Sequence, residues 1–152
     1  MTLIIDAAPL VALGDRRDPL HSAVLQTLES ESGDLVVPAP VFAEIDSLLR
    51  SRGGREAARR FLRDVADRRL QVEGLSREEH DIVWDLDGRY GDLDVGLADL
   101  SVVVLAQRFR TRRLLTFDER RFRTLRPIAG GAFTLLPTDL DAPTRGPRPG
   151  RG

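Results

Sequence analysis

Short runs of consecutive apolar residues alternate along this chain with stretches in which apolar residues recur at helical spacing. Leu3-Ile4-Ile5, Leu35-Val36-Val37-Pro38, Gln71 to Leu75, Arg113 to Phe117 and Phe133 to Pro137 read as strands. A second apolar run, Pro9 to Leu13, follows the first strand closely. Asp18-Pro19 predicts a helix start, an N-cap followed by proline at the first helical position. A helix is expected from Ala39 to Arg50, with Gly53-Gly54 separating it from another that runs to Arg69. Ser76 and Glu79 have capping-box spacing for a helix towards Tyr90. Gly91 to Gly96 reads as a loop, and a helix from Leu97 leads to the strand at Arg113. Strands that are apolar throughout, each separated by a helix, need cover on both faces. The predicted fold is α/β, a three-layer α/β/α sandwich with a mainly parallel central sheet.

At 152 residues the chain suits one domain with a sizeable core. Residues 138–152, TDLDAPTRGPRPGRG, carry one large apolar residue among many prolines and glycines. They read as a disordered tail after a domain of residues 1–137. No apolar run is long enough to span a bilayer, and MTLIIDAAPL lacks the basic start of a signal peptide. A cytoplasmic protein without membrane attachment is therefore expected. With no cysteine there is neither a disulfide framework nor a thiolate metal site.

The net charge of −1 conceals an uneven distribution. Residues 1–50 hold three Arg against eight acids, a local net of −5, whereas residues 108–126 hold eight Arg against Asp118 and Glu119, a net of +6. Every basic residue is arginine. Codon bias explains that choice most simply, but the planar guanidinium fork also suits phosphate recognition.

In an open parallel sheet, ligands sit beyond the carboxyl ends of the strands. Asp6 and Asp118 stand at two such ends, although aspartate there is also a common helix N-cap. Asp99 is less ordinary. On a helix from Val95 to Arg108 it shares a face with Val95, Val102, Val103 and Ala106, so its carboxylate falls inside an apolar stripe. Buried acids are rare unless paired, hydrogen-bonded or bound to metal. In Val41 to Leu49, Glu44 and Asp46 flank opposite edges of the apolar stripe, and periodicity does not choose between them.

Were Asp6, Glu44, Asp99 and Asp118 to converge, two carboxylates at about 5 Å would repel by about 3 kcal/mol at an effective dielectric of 20. Such a cluster takes up protons or binds a cation. The only other common ligands are His21 and His80, so an all-oxygen set would select Mg²⁺ or Mn²⁺ over Zn²⁺. A hard cation held by carboxylates is a device for phosphodiester hydrolysis.

Four segments together resemble the PIN-domain ribonucleases of the VapC toxin type, over about residues 1–137. Leu3-Ile4-Ile5-Asp6-Ala7-Ala8-Pro9 is similar to the family's first strand and acid, and Val41-Phe42-Ala43-Glu44-Ile45 to its acid-bearing helix. Tyr90 to Ser101 resembles its loop and third acid, Asp99, and Leu115-Thr116-Phe117-Asp118-Glu119-Arg120-Arg121-Phe122 its last strand, acid and trailing Phe. The resemblance selects Glu44 over Asp46. It implies Asp6 and Asp99 as main metal ligands, with Glu44 and Asp118 completing a catalytic Mg²⁺ or Mn²⁺ site directly or through water. It also implies cleavage of structured RNA such as tRNA or rRNA, a small antitoxin partner and a homodimer. One departure is that Ala7 and Ala8 stand where many relatives carry a hydroxyl, which Ser101 or Thr116 would have to replace. Asp92 and Asp94 are further candidates for the acidic set.

A phosphoryl-accepting domain of the receiver or haloacid-dehalogenase type also places Asp at a strand end. Both need a lysine, which this chain lacks, and paired acids or a D-x-D where Asp6 is followed by two alanines. A catalytically degenerate PIN-like module that only binds RNA or a protein is the second alternative, and retention of all four acids argues against it. Arg112, Arg113, Arg120 and Arg121 flank Asp118 in sequence and are candidates for phosphate contact. Trp84 falls off the stripe of Ile82, Val83, Leu86 and Tyr90. It is covered by a neighbouring helix or anchors another chain, with Phe61, Leu62 and Val65 as further groove residues.

Overall fold

The computed structural model describes residues 1–141. Five strands, β1 (Leu3–Ile5), β2 (Leu35–Pro38), β3 (Gln71–Glu73), β4 (Arg113–Leu115) and β5 (Thr134–Leu136), form one sheet in the order β3-β2-β1-β4-β5. Every pairing is parallel. The chain steps outward from β1 through β2 to β3, then crosses back to lay β4 on the other side of β1. The boundary between β1 and β4 is thus the switch point of the sheet, where parallel α/β folds open a crevice at the strands' carboxyl ends.

Helices α1 (Ala7–Leu13), α2 (His21–Ser30), α3 (Ala39–Ala66), α4 (Arg77–Arg89), α5 (Leu97–Arg108) and α6 (Glu119–Thr124) complete the sandwich. The strands are apolar because both faces are covered: Leu3, Ile4, Ile5, Val36, Val37, Leu114, Leu115 and Leu135 have no exposed surface. α3 bends at Gly54, whose φ of 73° is open to glycine without strain. α4 starts with both bonds of the capping box, Glu79 N–H to Ser76 Oγ at 3.1 Å and Ser76 N–H to Glu79 Oε1 at 2.8 Å. Arg108 at the end of α5 then clamps α4 through Glu79 and reaches Glu73 on β3 at 3.0 Å.

The structure corrects three expectations in detail. Asp18 does not cap a helix with Pro19 at its first position. α2 begins at His21, and the Asp18 side chain accepts the Leu20 N–H at 2.8 Å in a turn ahead of it. α5 is not a one-sided amphipathic helix: Leu100 to Ala106 are buried all round as it packs on β1 and β2 and touches α3 and α4. The ordered chain also passes the expected boundary at Pro137. Thr138–Asp141 form a 3₁₀ turn, fastened by Asp139 to Arg123 at 2.7 Å and to the Leu135 N–H at 2.7 Å. The rest of the expected tail, residues 142–152, lies outside the described residues. No helix among the described residues is long and apolar enough to cross a membrane.

Candidate active site

Asp6 and Asp118 stand at the carboxyl ends of neighbouring strands because β1 pairs with β4 in the register Ile4–Leu114 and Ile5–Leu115. Asp6 also caps α1: its Oδ1 accepts the Ala7 N–H at 2.9 Å. Asp118 caps α6, and its Oδ1 accepts the Arg121 N–H at 3.0 Å. The ordinary role of a strand-end aspartate is therefore realised at both positions. The second oxygen of each carboxylate has a further partner, Thr116 for Asp6 and Arg121 for Asp118.

The Asp6 oxygen and the Asp118 backbone are joined by Thr116, a fully buried residue just past β4. Its hydroxyl donates to Asp6 Oδ2 at 2.9 Å, and its Oγ1 accepts the Asp118 N–H at 3.1 Å. Of the two hydroxyls considered as replacements at Ala7 and Ala8, Thr116 takes the position. Ser101 donates to the Ala98 carbonyl instead, at 2.6 Å.

Asp99 is buried in the first turn of α5, where its Oδ2 accepts the Gly96 N–H at 3.3 Å. Glu44 lies exposed on α3, near enough for its charge to act on Asp6. Burial above all, then the charges of Asp99 and Glu44, push the Asp6 carboxyl above its ordinary value, against the hydrogen bonds from Ala7 and Thr116. Asp46 pairs with Arg50 through Oδ2 at 3.0 Å, while its Oδ1 is buried without a hydrogen-bond partner. Asp92 and Asp94 are exposed on the loop before α5.

The residue that sequence reasoning undervalued is Arg121. It reaches back from α6, placing Nη1 3.1 Å from Asp99 Oδ1 and Nε 3.5 Å from Asp118 Oδ2. Burial opposes its charge, but Asp99, Asp118 and Asp6 outweigh that and raise its pKa. Among the described residues, no three His, Asp or Glu side chains stand close enough together to coordinate one ion. Asp6, Glu44, Asp99 and Asp118 share one end of the sheet, but a guanidinium lies between two of them. The donor chemistry still fits a hard divalent cation: all four are carboxylates, and Asp6 carries a charge that its surroundings leave poorly compensated.

The other candidate arginines separate. Arg120 is exposed beside Asp118 on α6. Arg112 and Arg113 sit at the opposite, amino-terminal end of β4, because the strand runs away from them towards Asp118. Arg113 is further committed to Glu31 at 2.8 Å. Neither supports the expectation of phosphate contact at the acidic site. Trp84 is 78% exposed, so no helix among the described residues covers it. Phe61 is buried, stacked on Phe42 at a ring separation of 5.3 Å, while Leu62 and Val65 are half-buried.

Known proteins share this chain's sequence family and fold. The PIN domain profile matches residues 3–126. Ribonuclease VapC26 of Mycobacterium tuberculosis is 39% identical over 135 residues, covering 89% of this chain and all of the relative. The crystal structure of Mycobacterium tuberculosis VapC20, a toxin that cleaves the sarcin–ricin loop, superimposes with a TM-score of 0.68 at 20% identity. That match covers 78% of this chain and 92% of the other, and speaks for the fold. With its parallel sheet, its acids at the β1–β4 switch point and this identity over nearly its whole length, the chain belongs to the PIN-domain family, among the VapC-type ribonucleases.

Proposed function

We propose that the protein is a Mg²⁺- or Mn²⁺-dependent endoribonuclease and the toxin of a toxin–antitoxin pair. This reading is supported by 39% identity to a ribonuclease and by Asp6 and Asp118 ending neighbouring strands at the switch point, with Asp99 and Glu44 near enough for their charges to act on Asp6. Asp6 and Asp99 would hold the cation directly, and Glu44 and Asp118 directly or through water. A bound cation supplies an activated water and neutralises charge on the scissile phosphate. The chain's own residues prepare the site. Thr116 locks the orientation of Asp6 and ties it to Asp118, the α5 backbone at Gly96 steadies Asp99, and exposed Arg120 lies beside the crevice for a phosphate. The substrate class is structured RNA, tRNA or rRNA.

Partners follow from the same family reading. A groove of about 940 Å³ between α1, α2 and α3 has Leu13, Leu25 and Phe61 in its walls and Arg16, Arg52 and Arg60 along it. Apolar walls with a rim of mixed charge, Asp15, Asp18 and Asp64 beside the arginines, suit an antitoxin segment that pairs apolar with charged residues of both signs. A homodimer is the expected assembly, with Trp84 as a candidate anchor.

The decisive experiment is expression of the wild type and of Asp6→Asn and Asp99→Asn, with cellular RNA mapped for new ends. New ends and arrested growth are expected for the wild type alone. Full toxicity from both variants would remove the assignment of the site.

A further inference from the structure

Arg121 is on α6, the helix that Asp118 caps, so its backbone is anchored beside the acids whatever its side chain does. The side chain itself is one-third exposed. Its guanidinium takes the lone pair of Asp99 Oδ1 and the field of Asp118 and Asp6, the same negative charge a divalent cation would use. A carboxylate oxygen has lone pairs for both partners, but the guanidinium charge 3.1 Å from Asp99 Oδ1 repels a divalent ion at the same carboxylates, so binding one disfavours the other. Once expelled, a guanidinium rooted next to Asp118 is a planar fork of donors at the mouth of the site, suited to a phosphate. Arg120, one residue away, is exposed and has no carboxylate partner among the described residues, so it lacks this coupling.

From this geometry we infer that Arg121 is a tethered stand-in for the cation: it neutralises the acidic site until a divalent ion displaces it, and the displaced guanidinium then positions the RNA phosphate. The inference rests on the metal-dependent reading above and adds to it an order of events. Cation loading creates an RNA contact, so the protein without cation keeps that arginine out of reach of RNA. Arg121 is a positioning residue in this scheme. The competing explanation is a structural brace, in which Arg121 holds Asp99 in place for the ion. The two differ in sign. Removing a competitor tightens cation binding, whereas removing a brace weakens it.

The test uses the full chain. Mn²⁺ is titrated calorimetrically into the wild type, Arg121→Gln and Arg121→Ala, the glutamine variant keeping a polar stem of similar length should alanine unfold α6. If the stand-in is closed about nine-tenths of the time, both variants bind Mn²⁺ about tenfold more tightly. Unchanged or weaker affinity in the folded variants overturns the inference in favour of a brace. Binding to a 20-nucleotide single-stranded RNA is then measured without cation and with Ca²⁺, which has the same preference for oxygen ligands. Arg121→Gln should lose affinity, with a salt slope shallower by about 0.7, only in the loaded protein. An equal loss with and without Ca²⁺ overturns the ordering. Absence of Mn²⁺ binding in the wild type overturns the metal-dependent reading itself. Tight wild-type binding that Asp99→Asn removes, with no gain in the Arg121 variants, overturns the exchange alone.

Discussion

Thr116 donates its hydroxyl to Asp6 Oδ2 at 2.9 Å, joining the ends of two neighbouring parallel strands through side chains where the ladder of main-chain bonds stops. Thr116 is wholly buried and also accepts the Asp118 N–H, so Thr116→Val leaves an acceptor and a donor without partners. A loss of about 1–3 kcal/mol is expected in urea unfolding. The lost hydrogen bond also raises the Asp6 carboxyl further, so the acid limb of Mn²⁺ binding should move to higher pH. A variant with wild-type stability and an unmoved limb would show that Thr116 does not organise Asp6.

Asp6→Asn and Asp99→Asn should both abolish cleavage, yet they should part in stability. The Asp6 carboxyl titrates above its ordinary value of 3.8, so its ionisation opposes folding at neutral pH. That cost is full above the raised folded value and gone below 3.8. Asp6→Asn should therefore raise Tm at pH 7 and leave it unchanged at pH 3. Asp99→Asn removes the attraction of Arg121 as well and should not be stabilised. Equal Tm gains for both would contradict the role given to Arg121.

Glu79 behaves oppositely. The Arg108 hydrogen bond, with help from Ser76, lowers it from 4.5 to about 2. Its contribution to stability is complete above pH 4.5 and drains away as the pH falls towards 2. Acid unfolding of Glu79→Gln should accordingly be flatter across that window than in the wild type. Parallel curves would mean that the Arg108 clamp between α4, α5 and β3 adds nothing.

The arginines around β4 should divide by end of strand. Arg120→Ala is expected to weaken RNA binding and lower its salt slope, while Arg112→Ala leaves both unchanged, since Arg112 stands at the far end of β4. Arg113→Ala should act through stability instead, by about 1–3 kcal/mol, because Glu31 loses its partner with its own side chain only 3% exposed. Filter binding over a range of salt, with a parallel melt, separates the three.

Trp84 is expected to matter only between chains. With 78% of its surface exposed, Trp84→Ala should change monomer stability by no more than about 0.5 kcal/mol. Sedimentation of the protein alone, and with its antitoxin, should show a lost dimer or a lost complex. Unchanged assembly in both would leave Trp84 an ordinary surface residue.

β1, β2, β4 and β5 were legible in the chain as short, mainly apolar runs, the signature of a sheet covered on both faces, whereas β3 is an edge strand of Gln71, Val72 and Glu73 with Gln71 exposed. Three of the acids could be singled out in the same way, Asp6 and Asp118 as strand-end residues and Asp99 as a carboxylate among valines. Local pattern could not tell Glu44 from Asp46, since both border the same apolar stripe of α3; the resemblance favoured Glu44, and the structure adds that the Glu44 charge acts on Asp6 while Asp46 pairs with Arg50. Nor could spacing along the chain say which of the flanking arginines face the site. Arg112 and Arg113 are as close to Asp118 in sequence as many true neighbours, but an extended strand carries its two ends apart. Arg121 lies three residues past Asp118, and one turn of helix brings its side chain back onto the acids. The sequence by itself determined the layers and the candidate carboxylates, because burial and hydrogen bonding are written locally in residue order. Only the tertiary structure decided that β4 lies beside β1, that Thr116 joins their acids and that an arginine fills the space between Asp99 and Asp118. The Thr116–Asp6 and Arg121–Asp99 contacts join residues 110 and 22 positions apart, and strand order together with a helix's reach, rather than local propensity, brings them within hydrogen-bond distance.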